Sequence, residues 1–132
     1  MSDKVILHLH HVSLLVDDIT TALAFYQDVL GLVTDESRPD LGYPGAWLSL
    51  PGNQQLHLMQ LPDPGKGSER PEHGGRDYHV AFSVTSVENI VESLEKLGIA
   101  YTRSRSGRNA LFCRDPDGNA LEFIEKPSRN VV

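Results

Sequence analysis

Four side chains in this sequence have the types and spacing to hold a metal ion. One histidine opens the run H-V-S-L-L-V at His11, and another opens H-V-A-F-S-V at His79. A third, His57, lies in L-H-L-M-Q-L-P, and Glu122 holds the matching place in L-E-F-I-E-K-P. Three imidazoles and one carboxylate suit a divalent ion such as Ni, Zn, Fe, Mn or Co. A single histidine on a strand is more often a polar residue with ordinary partners. Here two equivalent pairs, His11 with His79 and His57 with Glu122, turn four residues into a pattern. The competing reading is a polar pocket without metal, in which burying such groups unpartnered costs free energy.

The elements that would position this quartet repeat as well. After His11 comes DDITTALAFYQDVLGL, with Ile19, Ala22, Leu23, Tyr26 and Leu30 at helical spacing. After His79 comes TSVENIVESLEKLGI, with Val87, Ile90, Val91, Leu94 and Leu97 likewise. Asp17 or Asp18 can cap the first helix and Thr85 or Ser86 the second, accepting from first-turn amides. Gly31 and Gly98 follow where each helix must stop. Each unit continues as strands, LVTDESR, GAWLSL and QQLHLMQL in the first and AYTRSR, NALFCR and ALEFIE in the second. The order βαβββ, read twice, predicts an α+β fold in which two modules form a cupped mixed β-sheet. One domain spans 1–132, as module 1 (6–61), a linker (62–77) and module 2 (78–126). The linker PDPGKGSERPEHGGRD is rich in Pro, Gly and charge and is expected to be a mobile surface loop.

Strand parity separates the chemistry from the core. Val12, Leu14 and Val16 share one face and His11, Ser13 and Leu15 the other; Val80, Phe82 and Val84 oppose His79, Ala81 and Ser83. The apolar sets should pack under the helices. The histidines should then face the concave side, with all four ligands converging on one point. His8, His10 and His73 read as solvated surface residues.

Composition narrows the class. The 132-residue chain carries a formal net charge of −6, which argues against a nucleic-acid partner. Its one cysteine allows no intrachain disulfide and fits a reducing compartment. No stretch reaches the roughly twenty apolar residues of a membrane span, and the N-terminus does not read as a signal peptide. A cytoplasmic protein with a small-molecule substrate is expected. Cys113 reads as a packed small residue.

The motifs HHVSLLVDD, ALAFYQDVLGL, YHVAFSV and FCRDPDGNALEFIE resemble the vicinal oxygen chelate superfamily over nearly the whole chain. That group includes glyoxalase I, methylmalonyl-CoA epimerase, fosfomycin-resistance proteins, extradiol dioxygenases and bleomycin-resistance proteins. The resemblance places its metal ligands on His11, His57, His79 and Glu122. It departs at His57, where glyoxalase I-like sequences usually have Glu and the epimerases Gln.

The resemblance implies a glyoxalase-like lyase or isomerase, acting on vicinal oxygens through a metal-stabilised enediolate, with Glu122 and His57 as proton-transfer groups. One alternative is an Fe(II) extradiol-type dioxygenase using His11, His79 and Glu122. Another is a bleomycin-resistance-like binding protein, and a fosfomycin-type thiol transferase ranks lower. Arg70, Arg76, Arg105 and Arg108 are candidates to hold an anionic group, with Arg108 foremost and Arg76 also assigned to substrate. Tyr43 and Trp47 are expected to wall the cavity, with core packing or a dimer contact as the alternatives. A lone module has open strand edges, so two modules must meet, within one chain or between two. A homodimer with sites shared between chains is the arrangement expected.

Overall fold

The structure is a computed structural model describing residues 4–126. Its eight strands are β1 (His11–Val16), β2 (Val33–Thr34), β3 (Gly45–Leu50), β4 (Gln54–Gln60), β5 (His79–Val84), β6 (Tyr101–Arg103), β7 (Ala110–Arg114) and β8 (Ala120–Glu125). Two helices, α1 (Ile19–Leu30) and α2 (Val87–Lys96), follow β1 and β5. Each module is a four-stranded mixed sheet, ordered β1-β4-β3-β2 and β5-β8-β7-β6, with its first strand parallel to its last. The two sheets are separate. The strands read from LVTDESR and AYTRSR shrink to Val33–Thr34 and Tyr101–Arg103.

The local signals act as their chemistry requires. Asp18 caps α1 by accepting from the Thr21 amide, and Ser86 caps α2 by accepting from Asn89. Gly31 ends α1 at φ 65°, a conformation that other L-residues adopt at a cost. Module symmetry extends to the helix entries. Gln60 at the end of β4 accepts from the Ile19 amide, and Glu125 at the end of β8 accepts from Val87. Such contacts satisfy orphan first-turn donors.

A single hydrophobic core runs through both modules. It joins Val16, Phe25, Tyr26, Leu48, Leu56 and Leu58 to Val87, Leu94, Leu111, Leu121 and Phe123, with Val12, Leu14, Val80, Phe82 and Val84 packed against it. The helix-facing parity of β1 and β5 is therefore the one expected. Cys113, on β7, lies in the same core with its thiol pushed up to about 12 by burial.

A buried polar bond crosses between the modules. The Tyr26 hydroxyl on α1 donates to Asp115 Oδ2 at 2.8 Å. Asp115 is 5% exposed and also accepts from the amides of Asp117 and Asn119 and from Asn119 Nδ2. Asn119 in turn donates to the Leu15 carbonyl of β1. The segments FYQDVLGL and DPDGN are thus two halves of one contact, which holds the turn leading into β8. A Tyr26→Phe change is expected to cost about 1–3 kcal/mol, the range for a bond to an acidic partner left unmade. Urea unfolding should show a lower midpoint at unchanged m.

The 62–77 segment has more structure than its composition predicts. Gly74–Arg76 forms a 3₁₀ turn capped by His73, whose Nδ1 accepts from the Gly75 amide. His73 is half-buried with its ring edge-on to Phe112, 4.9 Å between centroids, and so is not the solvated residue expected. The segment is held by polar contacts, with Lys66 paired to Asp17 and Arg70 to Asp77.

Candidate metal and substrate site

The four candidate ligands form two pairs, one on the non-helical face of each sheet. In module 1 the β1–β4 register sets Ser13 opposite His57 and His11 opposite Gln55. The His11 and His57 rings stack at 4.0 Å and 16°, and Trp47 on β3 covers the other face of His57 at 4.8 Å and 12°. In module 2 the register sets Ala81 opposite Glu122 and His79 opposite Ala120. Phe112 on β7 pairs with Glu122 as Trp47 pairs with His57, and it meets His79 edge-on at 5.4 Å. The small residues Ser13 and Ala81 leave room beside the second ligand of each pair.

Within one chain the two pairs do not merge. Among the described residues, no group of three or more His, Cys, Asp or Glu side chains is placed to hold a metal ion. His11 lies instead in a groove between β1 and β5, lined also by Gln55, Val80 and Phe82.

Each pair nonetheless consists of donor types that bind divalent ions. His79 Nδ1 lies 2.9 Å from the Asp77 carbonyl, which can only accept, so Nδ1 carries the proton. His79 Nε2 then faces Glu122 Oε1 at 3.2 Å, a contact that either a second proton on the imidazole or a metal ion between the two atoms satisfies. Donors about 2.1 Å from a common ion in tetrahedral or octahedral geometry would sit about 3.0–3.4 Å apart. Glu122 is 4% exposed, and its Oε2 is buried without a hydrogen-bond partner. Arg108 Nη2 stands off at 3.7 Å from that oxygen. In module 1, burial and then the charges of His11, His10 and Arg38 push the His57 pKa down to about 4. His57 is therefore neutral at neutral pH, the form that ligates. The donor set fits a borderline divalent ion in two halves.

A cleft of about 300 Å³ adjoins the His79–Glu122 pair, lined by Arg76, Arg105, Arg108, Ser104 and Ser106 together with His73 and Phe112. Three of the four candidate arginines thus meet at one place. The fourth, Arg70, is engaged by Asp77 through Nε at 2.9 Å and Nη2 at 2.7 Å. Tyr43 lies elsewhere, under the Arg38 guanidinium at 5.2 Å, and its carbonyl accepts from the same side chain. His8 and His10 are exposed, although His10 Nδ1 touches His11 Nδ1 at 2.9 Å.

The Asp77 network sets the approach of β5. Its carboxylate accepts from Arg70, from Arg114 and from the Tyr78 amide, while its carbonyl orients His79. Arg70 foremost, with Arg114 and Tyr78 acting against burial, holds the Asp77 carboxyl down to about 2. A carboxyl depressed in the folded state contributes stability above its unfolded value of 3.8, and that contribution is lost as pH falls through about 2. Urea midpoints measured across this acid window should fall less steeply in Asp77→Asn than in the parent protein.

Comparison with known proteins agrees with this architecture. The family model for the Glyoxalase/Bleomycin resistance protein/Dioxygenase superfamily matches residues 8–123. The chain belongs to that superfamily. It is 33% identical over 129 residues to glyoxylase I 4 of Arabidopsis thaliana, covering 94% of this chain and 74% of the relative. It is 31% identical over 125 residues to lactoylglutathione lyase of Haemophilus influenzae, covering 89% and 92% respectively. The crystal structure of lactoylglutathione lyase from Agrobacterium tumefaciens superposes with a TM-score of 0.64 at 27% identity, covering 92% of this chain and 96% of that one. Among the described residues no helix is long and apolar enough to cross a membrane.

Proposed function

We propose that this glyoxalase-superfamily chain is a divalent-metal-dependent lyase of the lactoylglutathione lyase type, with each site completed by a second copy of the chain. The observation that carries the reading is the His79–Glu122 pair: an imidazole nitrogen 3.2 Å from a buried carboxylate whose other oxygen lacks a hydrogen-bond partner, beside an arginine-lined cleft. His79 and Glu122 of one chain and His11 and His57 of another would hold the ion. When bound, it supplies Lewis acidity toward two adjacent substrate oxygens.

The remaining work falls to side chains. Arg108 and Arg76 border the cleft, where their guanidinium forks suit the carboxylates of a thiol-conjugated substrate. Glu122 Oε2 takes the proton from the substrate carbon next to the carbonyl and returns it to the neighbouring carbon. That oxygen is buried without a hydrogen-bond partner, so no protein donor has to be displaced for it to take the proton. Neutral His57 is the second group able to accept a proton. Trp47 stacks on His57 and Phe112 meets His79 edge-on, so each half has an aromatic ring against its ligand.

Metal analysis of purified protein, with turnover assays on the adduct of methylglyoxal with a thiol and on a catechol, tests the reading. Bound nickel or zinc with isomerisation of the adduct is the expected result. Ferrous iron with oxygen uptake on the catechol would replace it with the dioxygenase, and absence of metal after metal-replete expression with a binding protein.

A further inference from the structure

A histidine at position 57 brings a choice that a carboxylate there does not, namely which ring nitrogen carries the proton. The structure makes that choice through a chain of side chains outside the candidate ligand set. His57 Nε2 lies 2.9 Å from Gln55 Oε1, and Gln55 Nε2 donates to Asp35 Oδ2 at 2.8 Å. Asp35 is anchored in turn: its Oδ1 accepts from the Ser37 amide and hydroxyl, and its own amide donates to the Trp47 carbonyl. An ionised carboxylate only accepts, so it must face the amide –NH₂ of Gln55. The Gln55 oxygen is thereby turned toward His57, and an oxygen there requires a proton on Nε2.

We infer that Gln55, oriented by Asp35, is a positioning residue that locks His57 as the Nε2–H tautomer and leaves Nδ1 as its only free polar atom. Both ring faces are already covered, by His11 and Trp47. Nδ1 is therefore the atom offered to an ion or a proton. The relay belongs to module 1 alone. The residue that opposes the first ligand is Gln55 in module 1 and Ala120 in module 2. The two modules thus orient their histidines oppositely. His79 is held at Nδ1 and offers Nε2, whereas His57 is held at Nε2 and offers Nδ1. Partners of this kind typically change metal affinity by about 10–100-fold when lost.

The part concerning metal rests on the function proposed above; the tautomer does not. Long-range ¹H–¹⁵N correlation of the imidazoles, at neutral pH in metal-free protein, reads it directly, with His57 signals assigned by their loss in His57→Asn. The parent protein should show the Nε2–H form. Gln55→Lys, whose side chain only donates, should invert it to Nδ1–H, and Gln55→Leu should bring the Nδ1–H form to a detectable fraction. His73, fixed independently by the Gly75 amide, serves as the folding control in every variant. An Nδ1–H form in the parent, or an unchanged tautomer in Gln55→Lys with His73 intact, would overturn the inference. Zinc(II) titration then separates the two readings. Movement of the His57 Nδ1 signal with Nε2–H retained, and binding about 10–100-fold weaker in Gln55→Leu, support both. A tautomer that follows the variants while zinc leaves His57 unmoved upholds the relay and overturns the metal assignment.

Discussion

Replacing Glu122 with glutamine is expected to lower turnover of a methylglyoxal–thiol adduct by about 10²–10⁴-fold, the range that a positioned proton-transfer group supplies. The change keeps the size of a side chain that is only 4% exposed, so packing against Phe112 is retained. It removes the charge that attracts a cation and the oxygen that would carry the proton. Metal affinity should fall with turnover. Calorimetric metal titration and steady-state kinetics check the two parts. Turnover and metal content equal to those of the parent would remove Glu122 from the site.

Mixing two inactive variants should restore activity if the halves meet across a dimer. His11→Ala disables module 1 and Glu122→Gln disables module 2. In a mixed dimer one site receives both defects and the other receives neither, since a twofold interface repeats every contact. Random refolding of an equal mixture makes about half the dimers mixed, each with one good site of two, so about a quarter of parental activity should return. The separation of the two pairs within one chain motivates this experiment. Mass spectrometry of the refolded mixture establishes that mixed dimers are present. No recovery in their presence would place a complete site elsewhere.

The parts of this molecule that sequence made legible are those dictated by short-range rules. Parity on β1 and β5 separated His11 and His79 from Val12, Val16, Val80 and Val84, and the core follows that division. Asp18, Ser86 and Gly31 sit at helix ends because local backbone groups there need partners. Internal repetition aligned His57 with Glu122, and the strand registers agree residue for residue. What escaped depends on contacts between distant segments. Gln55 stands in a QQ pair with no distinguishing pattern, and its role arises only because the β2–β3 loop brings Asp35 against it. Arg70 stood among the four candidate arginines, behind Arg108, and nothing in its neighbours in sequence shows that Asp77 engages it. His73 looked solvated because a Gly-rich stretch gives no sign of the 3₁₀ turn that seats it beside Phe112. The division of the ligands into His11 with His57 and His79 with Glu122 was legible only as one of two arrangements, because a sixteen-residue join permits either pairing of modules.

Cys113 gives the chain a built-in stopwatch for its own breathing. It is the single thiol, it sits on an inner strand of the second sheet at 4% exposure, and its pKa is pushed up to about 12. Alkylating reagents attack thiolate that they can reach, so the folded form is nearly inert to them. A reactive dicarbonyl present at the neighbouring cleft would find the protein's own sulfur closed to it. Labelling can proceed only through openings that expose β7, and its rate therefore counts those openings. Comparing that rate with and without an added divalent ion would show whether an ion steadies the second module, with no probe engineered into the protein.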